Sequence, residues 1–299
     1  MKPPHITVCI ATFQRPALLR RLLTDLARQE TQSRFTFSAV ISDNDPAESA
    51  RSIVEECRTT LPLEIQYVTE PRRSISHARN KSLEPARGEY IAFIDDDEFP
   101  TPDWLLNMFR ALNGHAVSGV FGPVRPHYDS ATPAWVKKAG FYERPEHATG
   151  FTMPWTECRT GNVLVRADVL RAVKPVFRPE FGGGASDQDL FRRLMEVGHR
   201  FVWCNEAVVY EVVPPGRCKR GFLIRRALLR GSISLRHPKD RFMSVAKAFI
   251  AVPLYALALP FLQLRGHHVF MLYLVKLSDH LGRLLALFGL RPVRVRDMQ

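Results

Sequence analysis

The residues with the most chemistry at short spacing are Asp95, Asp96, Asp97 and Glu98, in the stretch YIAFIDDDEFP. They follow directly on an apolar run, Tyr90 to Ile94, which reads as a buried parallel strand. Carboxylates packed this closely repel one another by roughly a kcal/mol or more per pair, depending on the local dielectric. A hard divalent cation offsets such repulsion, and carboxylate oxygens suit Mg2+ or Mn2+. The plainer alternative is a solvated acidic turn. Other polar groups stand at comparable places. Thr12 ends one apolar run, Asp43 and Asp45 follow another in SDND, and Arg79 lies in HARN. The Arg79 guanidinium suits phosphate oxygens, or a buried ion pair with the acidic run. Asp43 also suits an Asx-turn before Pro46.

Alternating strands and helices must position these groups. His5–Phe13, Phe35–Ile41, Leu63–Thr69 and Tyr90–Ile94 read as strands. Helices are expected from Pro16, over Ala47–Thr60, over Ser74–Ala86, and from Asp103 to about Leu112. Leu19, Leu22, Leu23 and Leu26 give the first helix one apolar face. This rhythm predicts βαβ units and a parallel sheet. Ligands of such sheets bind at the carboxyl ends of the strands, where Thr12, Asp43 and Asp95–Asp97 all fall. That agreement weighs against the solvated turn.

From Ala116 the rhythm changes. Ala116–Val124 and Gly161–Arg166 read as strands, and Pro126–Pro154 as an irregular substrate-facing loop. A glycine triplet, Gly182–Gly184, precedes an amphipathic helix over Asp187–Val197. Short strands follow at Phe201–Cys204 and Ala207–Val213. The expected division is a catalytic part over 1–215 (halves 1–112 and 113–215) and a basic, apolar helical tail over 216–299.

The chain of 299 residues carries a formal net charge of +12, which points to an anionic partner such as nucleic acid, a phosphorylated ligand or an anionic membrane. Its five cysteines are scattered without a CxxC pair, which argues against a disulfide framework or a zinc site. The N-terminus lacks the apolar core of a signal peptide, so the catalytic part is expected in the cytoplasm. Arg217–Arg241 is strongly basic, and Ala248–Leu264 has no formal charge but contains Pro253 and Pro260. Its 17 residues stand at the lower limit for a membrane span. An interfacial or re-entrant hairpin fits equally well, and packing as ordinary core is the plain alternative. Val269–Leu290 is a second apolar segment, holding Lys276, Asp279, His280 and Arg283.

Five motifs in order, ATFQRP, SDND, HARN, GEYIAFIDDDE and SDQDLFRRL, resemble the inverting glycosyltransferases of family 2. The resemblance covers about residues 5–213. Asn205–Gly231 is also similar to bacterial exopolysaccharide transferases of the succinoglycan type. The fold implied is GT-A, a Rossmann-like, mostly parallel central sheet flanked by helices, here with a C-terminal helical membrane-associating tail. The activity implied is transfer of a sugar, with glucose the expected one, from a UDP-sugar to a lipid-linked oligosaccharide or polysaccharide acceptor. The expected place is the cytoplasmic face of a bacterial inner membrane. No nucleic-acid partner is expected.

The resemblance also implies roles. Asp97 would ligate Mn2+ or Mg2+, and Asp95 would lie near the ribose or sugar, with Asp96 beside it. Ala11, Thr12 and Arg15 of ATFQRP would line the nucleotide-sugar site. Asp43 would accept the uracil N3–H, and Arg79 would meet the diphosphate. Asp187 would be the general base, with Ser186 standing where an acid is usual; helix capping is the local alternative. Asp189 is expected to support the acceptor side, and Trp155 to stack on a sugar or else pack in the core. Where many relatives carry a metal-binding His, this chain has Glu211 in VVYEVVPP, kept as a candidate metal ligand. Two other readings compete. One is a nucleotidyltransferase, although ATFQRP lacks the glycines of a triphosphate loop. The other is a non-catalytic module binding nucleic acid or anionic lipid.

Overall fold

The computed structural model describes residues 3–181, 185–234, 241–290 and 293, without the side chains of 241 and 242. The glycine triplet lies outside the described residues. The chain forms two compact units: Met1–Pro126 with Arg144–Val212, and His127–Glu143 with Val213–Gln299. The second unit therefore takes in seventeen residues of the segment expected to be irregular loop.

The first unit begins β1 (His5–Thr12), α1 (Pro16–Leu26), β2 (Thr36–Asp43), α2 (Arg51–Thr60), β3 (Ile65–Thr69), α3 (Ile75–Leu83), β4 (Tyr90–Ile94), β5 (Glu98–Pro100) and α4 (Trp104–His115). Next come β6 (Gly119–Phe121) and β7 (Val124–His127). The helix α5 (Ala134–Ala139) belongs to the other unit. The first unit resumes with β8 (Asn162–Arg166), α6 (Ala167–Arg171), α7 (Ser186–Glu196), β9 (Phe201–Trp203) and β10 (Val209–Val212). The main sheet has the order β3-β2-β1-β4-β8-β6-β9. The pairs from β3 to β4 are parallel; β8 runs antiparallel to both neighbours, and β6–β9 is parallel. This is the mostly parallel α/β sheet of the GT-A fold. A small second sheet has the order β5-β10-β7.

Strand alternation divides the core. Ile6, Val8, Ile10, Ala92 and Ile94 pack with the buried leucines of α1 and with Trp104 and Met108 of α4. Cys9, Ile91 and Phe93 point the other way, into a cluster with Leu190, Phe191 and Leu194 of α7. Pro16 at the first turn starts α1. The strand expected over Ala116–Val124 is shorter and split. Ala116 is a left-handed helix cap at φ 49°, and a Cβ at Gly122 would stand 2.3 Å from the Ala207 carbonyl oxygen. A side chain there would drive the chain off its neighbour, and Pro123 removes an N–H from the ladder.

In the second unit, α8 (Arg220–Ser234), α9 (Arg241–Gln263) and α10 (His267–Leu287) join α5. Helix α10 packs on α5, α8 and α9. A Cβ on Gly231 would lie 1.9 Å from the Asp279 carbonyl oxygen, and one on Gly282 would lie 2.2 Å from that of Leu228. These two glycines let the backbones of α8 and α10 meet. Asp279 accepts from Arg230 at 2.7 Å across this crossing and from Arg283, one turn along α10, at 2.6 Å.

Candidate active site

The parallel strands end together. At the end of β1, Thr12 Oγ1 donates to Asp96 Oδ2 at 2.8 Å, tying that strand to the turn after β4. Arg15, just before α1, reaches the same turn. Its Nη1 donates to Asp96 Oδ1 and to Asp97 Oδ2, each at 2.9 Å. On the other side, Arg79 of α3 donates to Asp95 Oδ1 at 3.1 Å. Helix geometry thus brings a cation from each flank onto one acidic turn. Glu98 closes it from beneath, fully buried, accepting the Asp95 N–H at 3.0 Å.

The four acids differ in exposure. The Asp95 side chain is 42% exposed, those of Asp96 and Asp97 are 6% and 11% exposed, and Glu98 is enclosed. Burial, with the charge of Asp95 beside it, pushes the Asp97 carboxyl up to about 7. Burial likewise raises Asp96, and it raises Glu98 well above the usual carboxylate range. One guanidinium nitrogen thus serves two carboxylates, and the turn holds more negative charge than Arg15 offsets. That charge state fits a divalent cation whose remaining ligands come from phosphate. Among the described residues, no three His, Cys, Asp or Glu side chains converge as a ready-made cation cage. Asp97 would hold the ion. Glu211 lies close enough to push up the Asp97 pKa, and β10 brings it opposite Glu98 of β5. Glu211 is itself ion-paired with Arg144.

Several expectations need correction. Asp43 is wholly buried, and its carboxylate accepts from the Asp45 N–H at 3.0 Å, the Ala50 N–H at 2.8 Å and the Tyr67 hydroxyl at 2.9 Å. It forms the Asx-turn and shapes the loop after β2, its carboxylate engaged by all three donors. Asp96 and Thr12 bond each other, so both brace the site more than they line it. Arg79 takes the ion-pair arrangement, with its guanidinium over the Phe177 ring at 5.7 Å. Asp189 is buried on α7 and holds Arg193 at 2.9 Å, with Arg178 and Arg192 within 3.6 Å. That engagement with three arginines makes it an internal tether, not a sugar contact.

Asp187 stands differently. It lies in the first turn of α7, whose N-cap position is Ala185 at φ 70° with no side-chain cap. Among the described residues its carboxylate accepts the Gln188 N–H at 2.9 Å. Its carboxylate thus engages a first-turn N–H of α7 from inside the helix rather than from the N-cap position. Gln188 also donates to the Thr156 carbonyl at 2.8 Å, fastening α7 to the short 3-10 turn Trp155–Glu157. Trp155 on that turn is 41% exposed, so it is not core packing. Ala11 is half-buried at the end of β1.

Three organisers escaped sequence reasoning. Asn44 donates to the Glu70 and Arg72 carbonyls at 2.7 and 2.9 Å and accepts from the Ser74 N–H at 3.0 Å, stapling β2 to the β3–α3 loop. Asn162 accepts the Trp104 indole N–H at 2.8 Å and donates to the Pro123 and Ala207 carbonyls. Arg73 covers the Phe13 ring at 4.6 Å. An Asn directly after a strand is the one local signal that pointed to the first.

Comparison with known proteins agrees with this geometry. Residues 7–172 match the profile "Glycosyl transferase family 2". Succinoglycan biosynthesis protein ExoM of Rhizobium meliloti (strain 1021) is 34% identical over 232 residues, 76% of this chain and 73% of that one. The mannosyltransferase PcManGT from Pyrobaculum calidifontis, solved with GDP-Man and Mn2+, superposes with a TM-score of 0.63 at 21% identity, covering 97% of this chain and 87% of that one. S. aureus TarS 1-349 in complex with UDP-GlcNAc superposes with a TM-score of 0.57 at 17% identity, covering 97% and 93%. The sheet order, the acidic turn at the end of β4 and the family match converge: this chain belongs to glycosyl transferase family 2 and is a glycosyltransferase.

Proposed function

We propose that the chain transfers a hexose, glucose being the leading candidate, from a UDP-sugar with inversion. The acceptor is a lipid-linked or polysaccharide glycan of exopolysaccharide synthesis, and the place is the cytoplasmic face of the inner membrane. The observation that carries the donor half is the Arg15 bridge to Asp96 and Asp97 at the carboxyl end of β4. The relative ExoM supports the exopolysaccharide reading, and the family assignment replaces the nucleotidyl-transfer and non-catalytic alternatives.

In the proposed reaction, the acceptor hydroxyl oxygen bonds to the anomeric carbon as that carbon's bond to the diphosphate oxygen breaks. Asp187 takes the hydroxyl proton. A divalent cation at Asp97, with Glu211 beside it, would neutralise charge on the departing diphosphate. Arg15 and Arg79 hold the turn in place and stand ready to pair with phosphate oxygens. Asp43 and Asn44 fix the loop that borders the base, with Ala11 on the opposite strand end. Trp155 offers a flat apolar face for a sugar beside Asp187.

A thermal-shift panel of UDP-, GDP- and TDP-sugars with and without Mn2+ tests the donor. Stabilisation by a UDP-sugar only when Mn2+ is present is expected. A shift with GDP-sugars alone would overturn the UDP assignment, and no shift with any donor would overturn the donor site.

A further inference from the structure

The net positive charge of this protein is confined to one of its two units. His127–Glu143 with Val213–Gln299 holds 18 of the 42 Lys and Arg but only 5 of the 30 acids, a net charge of +13 against −1 for the rest of the chain. On α8, Arg220, Arg225 and Arg226 are exposed, as is Lys219 just before it. The same unit carries α9, whose segment Met243–Gln263 is long and apolar enough to cross a membrane and is almost wholly unburied. Ile250, Leu254, Leu257 and Phe261 form a stripe along it, continued by Leu264 just past its end, each between 60% and 86% exposed. A large apolar stripe beside concentrated positive charge matches an anionic bilayer surface, which supplies apolar depth and negative headgroups together.

The opposite face of α9 decides how it meets that surface. Ala248 is fully buried, and Tyr255 lies 5.5 Å from the Tyr273 ring and 5.9 Å from the His280 ring of α10. Helix α10 also carries Lys276, Asp279 and Arg283; the Arg230–Asp279 ion pair and the Arg283 hydrogen bond to Ser234 hold it to α8. If α9 crossed the bilayer with α10 attached, those charges would enter the hydrocarbon core, where ionised side chains are costly and rarely left without a polar cavity. If it crossed alone, it would leave α10.

We propose that α9 lies in the plane of an anionic membrane leaflet, with its Ile250–Leu264 stripe buried among the acyl chains, its opposite face on α10, and the basic face of α8 at the headgroups. This deepens the membrane-associated reading above by choosing a surface helix over a span. It does not depend on which sugar is moved.

Flotation of the full chain with vesicles tests it. Binding to vesicles containing phosphatidylglycerol, little binding to pure phosphatidylcholine, and release by high salt or alkaline carbonate are expected. The double variant Leu257→Glu, Phe261→Glu should bind about tenfold or more weakly, while the Mn2+-dependent UDP-sugar thermal shift stays unchanged. Retention on the vesicles after carbonate and salt would identify a span and overturn the proposal. Equal binding to neutral vesicles, no binding to either, or full binding by the double variant would also overturn it. Loss of transfer with intact flotation would count against the catalytic reading alone.

Discussion

Arg15 Nη1 stands 2.9 Å from Asp97 Oδ2, and the same nitrogen is 2.9 Å from Asp96 Oδ1. The guanidinium occupies the position of a counter-ion for the acidic turn. A divalent cation arriving at Asp97 would compete with it and release it toward the diphosphate. Arg15→Ala should therefore raise Mn2+ affinity several-fold in the absence of donor and weaken UDP-sugar affinity once Mn2+ is present. The metal-free protein should lose about 1–2 kcal/mol, a figure lowered for the guanidinium's partial exposure. Calorimetric titration with Mn2+ alone, then with both ligands, checks the opposite signs. Arg15→Lys should restore most of the donor affinity.

The raised Asp97 carboxyl sets a pH dependence. Its folded pKa of about 7 lies above the ordinary 3.8, so the fold favours the protonated form. Stability of the metal-free protein from this group is then greatest below the ordinary value. It falls by roughly 2–4 kcal/mol as the pH rises toward 7 and is flat beyond. Mn2+ needs the ionised carboxylate, so its apparent affinity should rise about tenfold per pH unit up to about 7 and then level. Asp97→Asn should abolish the slope and most of the Mn2+ binding.

At the α8–α10 crossing there is no room for a methyl group at Gly231 or Gly282. Gly231→Ala should destabilise the second unit by about 2–3 kcal/mol, because one backbone must retreat from the other. Chemical denaturation followed by tryptophan fluorescence would show it through Trp135, which lies in that unit. A surface glycine with open space around it, Gly216, should tolerate Ala at little cost.

Trp155, 41% exposed and next to the Asp187 turn, should be separable from stability. Trp155→Ala is expected to leave the melting temperature unchanged within about 1 °C and to raise the acceptor KM about tenfold, from the loss of one stacking face. A fall in melting temperature with unchanged KM would make Trp155 a packing residue.

The strand–helix rhythm of residues 5–112 was legible because period-two and period-3.6 patterns are local. So was the acidic turn, since four adjacent acids at a strand end need no tertiary knowledge. Short β5 was missed: EFP contains a proline, and its partner β10 lies over a hundred residues away. Asp43 and Asp189 looked like site carboxylates because sequence shows charge but not the three donors or three arginines around each. The two apolar tail segments differ in fate, α9 exposed and α10 partly enclosed. The internal polar residues Asp279 and Arg283 were the visible sign of that difference. The adoption of 127–143 by the second unit left no sequence signal, because it rests on packing of Val136 with Val213 and Cys218.

The most direct test of the catalytic assignment is Asp187→Asn, measured for UDP-sugar binding with Mn2+ and for product formation in the same preparation. The isosteric change removes the proton acceptor and leaves the turn in place. Binding within about twofold of wild type with turnover lowered about a thousandfold is the predicted result. Wild-type turnover by Asp187→Asn would contradict the account.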